Sequence, residues 1–117
     1  MSKTLYVGID PHQKENFCCP LDQDGNKLTI LKLHTPGKVL RGGQGAGAAG
    51  ERLPASYANF YIGNATVLVP VFGREQDKQA LGILGELFPG RKMVPIRCND
   101  LVGGYGAIHC VTQQQPV

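Results

Sequence analysis

Four cysteines, Cys18, Cys19, Cys98 and Cys110, carry most of the reactive chemistry in this sequence. Cys110 alone follows a cluster of glycines, at positions 103, 104 and 106. Glycine lets a backbone pass close to a ligand and adopt positive φ, so a cysteine after such a turn can act as an exposed nucleophile. Free cysteine is also among the most buried residue types, and by itself the pattern favours a structural thiol.

His109 lies directly beside Cys110 in the sequence, yet this adjacency does not predict a catalytic pair. If the segment is an extended strand, as we expect, neighbouring side chains point to opposite faces and His109 cannot serve as the base for Cys110. We predict that His109 is a packed or hydrogen-bonded histidine. A supporting role behind the nucleophile is the alternative.

Composition and spacing argue against several classes of function. The cysteines and histidines have no usual zinc-ligand spacing, so no metal site is predicted. The net charge of +3 has no basic run behind it, which argues against nucleic-acid binding. No apolar run approaches the roughly 20 residues of a membrane helix, and the N-terminal apolar stretch is too short for a signal peptide. We therefore expect a cytoplasmic protein, with no membrane contact.

The elements that must position Cys110 can be predicted from hydrophobic spacing. Residues 4–9 and 28–33 are strand-like, and residues 41–50 hold five glycines that predict a flexible loop. Further along, the pattern predicts a strand over 57–62, a turn at 63–64, a strand over 65–72, a helix over 75–88 and a strand over 92–98. Residues 56–98 thus form one ββαβ unit of an α/β (α+β) fold.

Several blocks of this sequence resemble the agmatine deiminases, peptidyl-arginine deiminase-like enzymes of the pentein superfamily. The blocks are residues 52–62, 69–73 (Val-Pro-Val-Phe-Gly), 87–89 (Leu-Phe-Pro), 103–104 and 108–116 (Ile-His-Cys-Val-Thr-Gln-Gln-Gln-Pro). Residues 28–37 also resemble the segment before the long loop of that family. The resemblance therefore covers roughly residues 28–117.

This resemblance implies a pentein propeller, a closed ring of five ββαβ units. It implies the hydrolysis of agmatine, or a related guanidino compound, to N-carbamoylputrescine and ammonia in putrescine biosynthesis, with no cofactor. Cys110 matches the family's nucleophile, which attacks the guanidinium carbon as a thiolate and forms a covalent intermediate. Family members also use a histidine from an H-x-D motif and carboxylates that grip the guanidinium.

The sequence lacks an H-x-D motif, since its three histidines are His12, His34 and His109, and none has an aspartate two residues later. We expect a truncated or rearranged deiminase that does not turn over alone. A single ββαβ unit leaves sheet edges unpaired, so self-association or a partner chain is expected. The alternative is a non-catalytic remnant or subunit that acts only with another chain.

Residues 1–27 weakly resemble the N-terminus of a transposase with a ribonuclease H-like fold, in which the matching Asp10 would bind metal. Such chemistry needs several clustered carboxylates, and Asp10 with Asp22 and Asp24 does not supply them. We interpret Asp10 as a strand-ending turn residue. A shortened deiminase segment is the alternative origin, and a transposase-derived nucleic-acid protein is the least favoured function. The predicted division is thus 1–40 (strands of unassigned origin), 41–55 (glycine-rich loop) and 56–117 (deiminase-like segment).

Overall fold

The computed structural model describes residues 6–11, 15–21, 24, 26, 31–42 and 50–116. Its elements are strands in three small sheets, one α-helix and two short 3₁₀ helices. The fold is therefore mixed α/β, as predicted. Among the described residues, no helix is long and apolar enough to cross a membrane.

The first sheet contains β1 (Tyr6–Pro11), β2 (Glu15–Leu21) and β3 (Leu31–His34), in that order and antiparallel throughout. β1 and β3 overlap the predicted strands, whereas β2 was not predicted. Asp10 is not the turn residue we expected, because it lies inside β1 and pairs with Phe17. The residue before proline is restricted to extended geometry, which a strand satisfies as well as a turn does.

The second sheet is a minimal pair of strands, β4 (Val39–Leu40) and β5 (Arg52–Leu53), which are antiparallel. Residues 43–49 of the predicted glycine-rich loop (41–55) lie outside the described residues, and β5 falls within the predicted range, so that part is a strand and not a loop. The Arg41 N–H donates to the Glu51 carbonyl (2.8 Å) and the Gly50 N–H donates to the Arg41 carbonyl (3.0 Å). Backbone hydrogen bonds therefore join the two ends of the described chain on either side of residues 43–49.

The third sheet and the helix form the ββαβ unit. The elements are β6 (Tyr61–Ile62), β7 (Thr66–Val71), α1 (Gln76–Leu87) and β8 (Lys92–Arg97). β7 lies in the centre, antiparallel to β6 and parallel to β8. The predicted order of strand, strand, helix and strand is confirmed.

β6 is shorter than the strand predicted over 57–62, and Pro70 gives the reason. The Gly63 N–H donates to the Thr66 carbonyl (2.8 Å), so the even-numbered residues of β7 turn their hydrogen-bonding groups toward β6. Pro70 is the even-numbered residue beyond the paired Leu68, and it has no N–H to donate. The ladder between β6 and β7 therefore ends there.

The hydrophobic core is one cluster, to which α1 and β7 contribute together with buried side chains of β3, β4, β5 and the chain after β8. Val67 and Val69 of β7 and Ala80, Leu84 and Leu87 of α1 are buried. These helix positions are three or four residues apart, which places them on one helical face. Burial of this face holds α1 on the sheet even though Gly82 and Gly85 weaken the helix itself.

The turn between β7 and α1 is organised by a single carboxylate. Asp77 accepts hydrogen bonds from the backbone N–H groups of Phe72, Gly73 and Arg74, at 2.8–3.3 Å. It also accepts one from the buried Tyr57 hydroxyl at 2.6 Å. Asp77 thus satisfies N–H groups of the turn that leads into α1, and its position in the first turn of the helix complements the helix dipole.

β8 lies at the edge of its sheet, and within the described residues no strand pairs with its outer side. The N–H groups of Lys92 and Cys98 donate to the carbonyls of Ala65 and Val71 (3.0 Å each), so the odd-numbered N–H groups of β8 point outward. Pro95 falls in this outward set and has no N–H. The open edge is therefore interrupted at its middle, which makes pairing with another strand less favourable.

The chain after β8 contains a 3₁₀ helix at Leu101–Gly104 and a second one at His109–Val111. Our expectation that Cys110 lies on an extended strand is therefore wrong. The Val111 N–H donates to the Ile108 carbonyl (3.2 Å), which closes a tight turn around Cys110. The glycines before it disfavour a regular strand.

Candidate active site

Cys110 is exposed on the second 3₁₀ helix, and Asn59 contacts both its sulfur and its backbone. The Asn59 Nδ2 donates to the Cys110 Sγ at 3.1 Å, and its Oδ1 accepts from the Cys110 backbone N–H at 3.3 Å. The Asn59 carbonyl also accepts from the His109 N–H at 3.2 Å. Asn59 thus binds the backbone of the turn and its sulfur together.

These contacts lower the pKa of the Cys110 thiol. The largest cause is the hydrogen bond from Asn59, followed by a backbone hydrogen bond with Ala107, while slight desolvation opposes both. A donor near sulfur stabilises the thiolate more than the thiol. Because the thiolate is the nucleophilic form, this arrangement favours reactivity at neutral pH.

Gly106 makes room for the nucleophile. A Cβ atom on residue 106 would lie 2.8 Å from the Cys110 Cβ and 2.9 Å from its Sγ, distances that real Cβ atoms do not tolerate. The bare backbone of Gly106 therefore forms one wall against Cys110. This is a close approach that requires glycine.

Cys98 shows the contrasting environment of a structural thiol. It is fully buried, and its Sγ donates to the Ile96 carbonyl at 3.3 Å. Burial raises the pKa of this thiol, which keeps it protonated and unreactive. Cys18 and Cys19 lie in β2, away in sequence from this site.

None of the three histidines has a side chain that the structure places in the site. We expected a packed or hydrogen-bonded His109, but its side chain is exposed and makes no hydrogen bond among the described residues. The backbone of His109 does form hydrogen bonds, and its carbonyl accepts from the Thr112 hydroxyl at 2.9 Å. His34 lies in β3 and His12 lies outside the described residues. In the part of the chain that the structure describes, no three His, Cys, Asp or Glu side chains group as metal ligands.

Sequence reasoning did not identify Asn59 as a site residue. It is separated from Cys110 by 51 positions, and no local pattern links two residues so far apart. Asn59 does lie inside the block 52–62 that carried the family resemblance, between the apolar residues Ala58 and Phe60. Asn59 falls within the alternation of the strand predicted over 57–62, so its membership of this block was the available signal.

Comparison with known proteins covers the part of the chain that contains this site. The family model of the Porphyromonas-type peptidyl-arginine deiminases matches residues 13–116, which includes both Asn59 and Cys110. The match begins earlier than the resemblance predicted from residue 28. Residues 1–12 lie outside it, and the transposase resemblance of the N-terminus stays a prediction.

Individual relatives and solved structures point the same way. A Mycoplasma capricolum protein that carries the assigned name of an agmatine deiminase is 37% identical over 106 residues, which cover 82% of this chain and 29% of that protein. One from Selenomonas ruminantium is 40% identical over 107 residues, covering 81% and 29%. The agmatine deiminase of Enterococcus faecalis superposes with a TM-score of 0.70 at 35% identity, over 81% of this chain and 29% of that structure.

The chain spans about 29% of the length of the curated relatives that it matches. The resemblance to agmatine deiminases over the C-terminal part of the sequence is confirmed by these comparisons. This chain belongs to the Porphyromonas-type peptidyl-arginine deiminase family.

Proposed function

We propose that Cys110 is the nucleophile of an agmatine deiminase reaction, to which this chain contributes the nucleophile segment. The observation that carries the proposal is the hydrogen bond from Asn59 to the Cys110 sulfur, on an exposed turn within the family-matched region. An exposed, donor-stabilised cysteine is suited to attack an electrophilic carbon. The buried Cys98 is not.

The chemistry divides into two steps. The Cys110 thiolate adds to the guanidinium carbon of agmatine, a proton is transferred to the amino group, and the C–N bond breaks to release ammonia. The sulfur is then bonded to an amidino carbon. Water adds to that carbon, the C–S bond breaks, and N-carbamoylputrescine leaves with the thiolate restored. Agmatine and one water thus give N-carbamoylputrescine and ammonia.

Two parts of this chemistry must come from other residues. A general acid and base is needed for both proton transfers, and the exposed His109 shows no side-chain contact with Cys110 among the described residues. Carboxylates are needed to hold the planar guanidinium by paired hydrogen bonds. We propose that the ββαβ unit seen here is one of five in a pentein ring, and that the other units supply these groups in the cytoplasm.

A chimera tests this proposal directly. In the agmatine deiminase of Enterococcus faecalis, the segment that this chain matches would be replaced by residues 31–116 of this chain. We expect agmatine-dependent ammonia release from the chimera and none from its Cys110→Ser variant. A folded chimera without ammonia release would refute the proposal.

A second function, that of a non-catalytic partner-binding subunit, is favoured by exposed apolar side chains. Ile62 of β6 and Ile96 of β8 are exposed by 36% and 38%, and Leu101 by 39%.

For the 117-residue chain alone we expect no detectable ammonia release from agmatine, because a positioned acid and base contributes a rate factor of roughly 10² to 10⁴. Turnover that depends on Cys110 would overturn that expectation.

A further inference from the structure

Three side chains near the nucleophile form a connected group that the proposed reaction does not use directly. Arg41 follows β4, Glu51 precedes β5, and Tyr105 ends the first 3₁₀ helix. The Arg41 Nε donates to the Glu51 Oε2 at 3.0 Å, and the Tyr105 hydroxyl donates to the Glu51 Oε1 at 2.8 Å. Both carboxylate oxygens of Glu51 are thus engaged by residues that are distant in sequence.

Arg41 closes this group against the backbone. Its Nη2 donates to the Gly103 carbonyl at 2.9 Å, and its guanidinium carbon lies 5.5 Å from the centre of the Tyr105 ring. The Arg41 side chain is only 9% exposed, whereas Tyr105 is 60% exposed, so the guanidinium is shielded from water on one side and the Tyr105 ring covers it from the solvent side. A Cβ on residue 103 would lie 3.3 Å from the Arg41 Nη1, so glycine there gives the guanidinium its space.

The backbone at Tyr105 needs such support. Tyr105 has φ of 68°, and it is the sole residue other than glycine with positive φ in the described part of the chain. This left-handed conformation is unfavourable for a residue with a Cβ and persists only where its surroundings enforce it. The Tyr105 N–H donates to the Val102 carbonyl at 2.9 Å, and the side chain adds the hydroxyl bond to Glu51 and the ring contact with Arg41.

Tyr105 immediately precedes Gly106, whose backbone forms the wall against the Cys110 sulfur. The position of residue 106 depends on the φ and ψ angles of residue 105. We propose that Arg41, Glu51 and Tyr105 form a brace that fixes the Gly106 wall and thereby positions the Cys110 sulfur beside Asn59. They are positioning residues, because none of them touches the reacting atoms.

The ionisation of the brace is consistent with this role. Hydrogen bonds from Tyr105 and then Arg41 hold the pKa of Glu51 below its ordinary value. The hydrogen bond to Glu51 is also the main cause that raises the pKa of Arg41. Both groups are therefore charged at neutral pH, and their hydrogen bonds are charge-assisted.

This inference gives a role to residues around the nucleophile of the proposed function, yet its test needs no agmatine. The measurement is the rate of iodoacetamide alkylation at Cys110 as a function of pH, resolved by peptide mass spectrometry in the full chain. This profile reports the thiol pKa and the limiting thiolate reactivity separately. Failure of the deiminase proposal would show in the chimera and would leave this profile unaffected.

Tyr105→Phe removes the hydroxyl alone, and Tyr61→Phe is the matched control because no hydrogen bond of its hydroxyl is found among the described residues. We expect alkylation of Cys110 to slow severalfold at neutral pH in Tyr105→Phe, with the control unchanged. Glu51→Gln should slow it similarly, and the double variant should be no slower than either single variant. An unchanged profile in Tyr105→Phe, or additive losses in the double variant, would overturn the brace.

Tyr105→Gly separates positioning from stability. Glycine adopts φ of 68° without strain, so the thermal midpoint should not fall much although the whole brace contact is lost. We expect Cys110 alkylation to slow in this variant while far-UV circular dichroism stays native. Alkylation at the wild-type rate in a folded Tyr105→Gly chain would show that the brace does not position the sulfur.

Discussion

Substitution of Gly106 by alanine should disturb the nucleophile more than any other single methyl group added near it. The new Cβ would lie 2.8 Å from the Cys110 Cβ, whereas non-bonded carbons settle at about 3.5–4.0 Å. Either Cys110 or the backbone at 106 must therefore move by about 0.7 Å or more.

The consequence for the thiol follows from hydrogen-bond geometry. Ordinary N–H···O distances span only about 0.5 Å, so a shift of about 0.7 Å cannot leave a directional contact unchanged. We expect the 3.1 Å bond from Asn59 to Sγ to be weakened and the pKa of Cys110 to rise toward its ordinary value. Stability should fall by only about 1 kcal/mol, the low end for overpacking, because Cys110 is exposed and can relax.

The assay is the pH dependence of Cys110 alkylation, with urea unfolding measured alongside. Gly104→Ala is the matched control, because a Cβ on residue 104 meets nothing within 4 Å. We expect slower alkylation at neutral pH in Gly106→Ala and a wild-type profile in Gly104→Ala. Equal profiles for the two variants would show that Gly106 does not form a wall against the sulfur.

Three further predictions concern the contacts around this site and the core. Asn59→Ala should raise the pKa of Cys110 and slow its alkylation at neutral pH, whereas Asn59→Asp should slow it further because a carboxylate opposes the thiolate; a faster rate in Asn59→Asp would contradict this. Tyr57→Phe should cost about 1.5–3 kcal/mol of unfolding free energy in urea by removing the hydrogen bond to the Asp77 carboxylate, and an unchanged midpoint would argue against it. The chain should form oligomers, detected by light scattering at micromolar concentration. Leu84→Lys should worsen folding because the Leu84 side chain is fully buried. A monomer with a cooperative thermal transition would show that the chain closes its own core.

The ββαβ unit could be predicted from sequence because each of its elements has a burial pattern that can be read from neighbouring residues. The alternation before the Gly63–Asn64 turn and the spacing of Ala80, Leu84 and Leu87 each report one burial pattern within a few residues. β2 was not predicted, since strand pairing with β1 and β3 decides its conformation and no periodic pattern announces it. The length of β6 likewise depends on Pro70 in the neighbouring strand.

The candidate site was only half predictable. Cys110 was found through its glycines and the block of residues that resembles the deiminases. The sequence suggested a strand there, and the 3₁₀ turn instead exposes the sulfur to Asn59. Asn59 and the brace residue Glu51 act across more than 50 positions, so only the folded chain brings them to the nucleophile. Long-range polar contacts of this kind leave no local periodicity.

The early end of β6 has a consequence for the nucleophile turn. If the register of Tyr61 with Leu68 continued, residue 59 would lie opposite residue 70, and the Asn59 carbonyl would accept from the residue 70 N–H. Pro70 cannot offer that bond, so the carbonyl is free to accept from the His109 N–H instead. Because Pro70 in the central strand has no N–H, the Asn59 carbonyl can hold the turn around Cys110, which lies some forty residues after Pro70 in the sequence. Any non-proline residue at position 70 would introduce an N–H that competes for this carbonyl. The residue at position 70, inside a buried strand, therefore affects how firmly the turn that carries the exposed Cys110 sulfur is held.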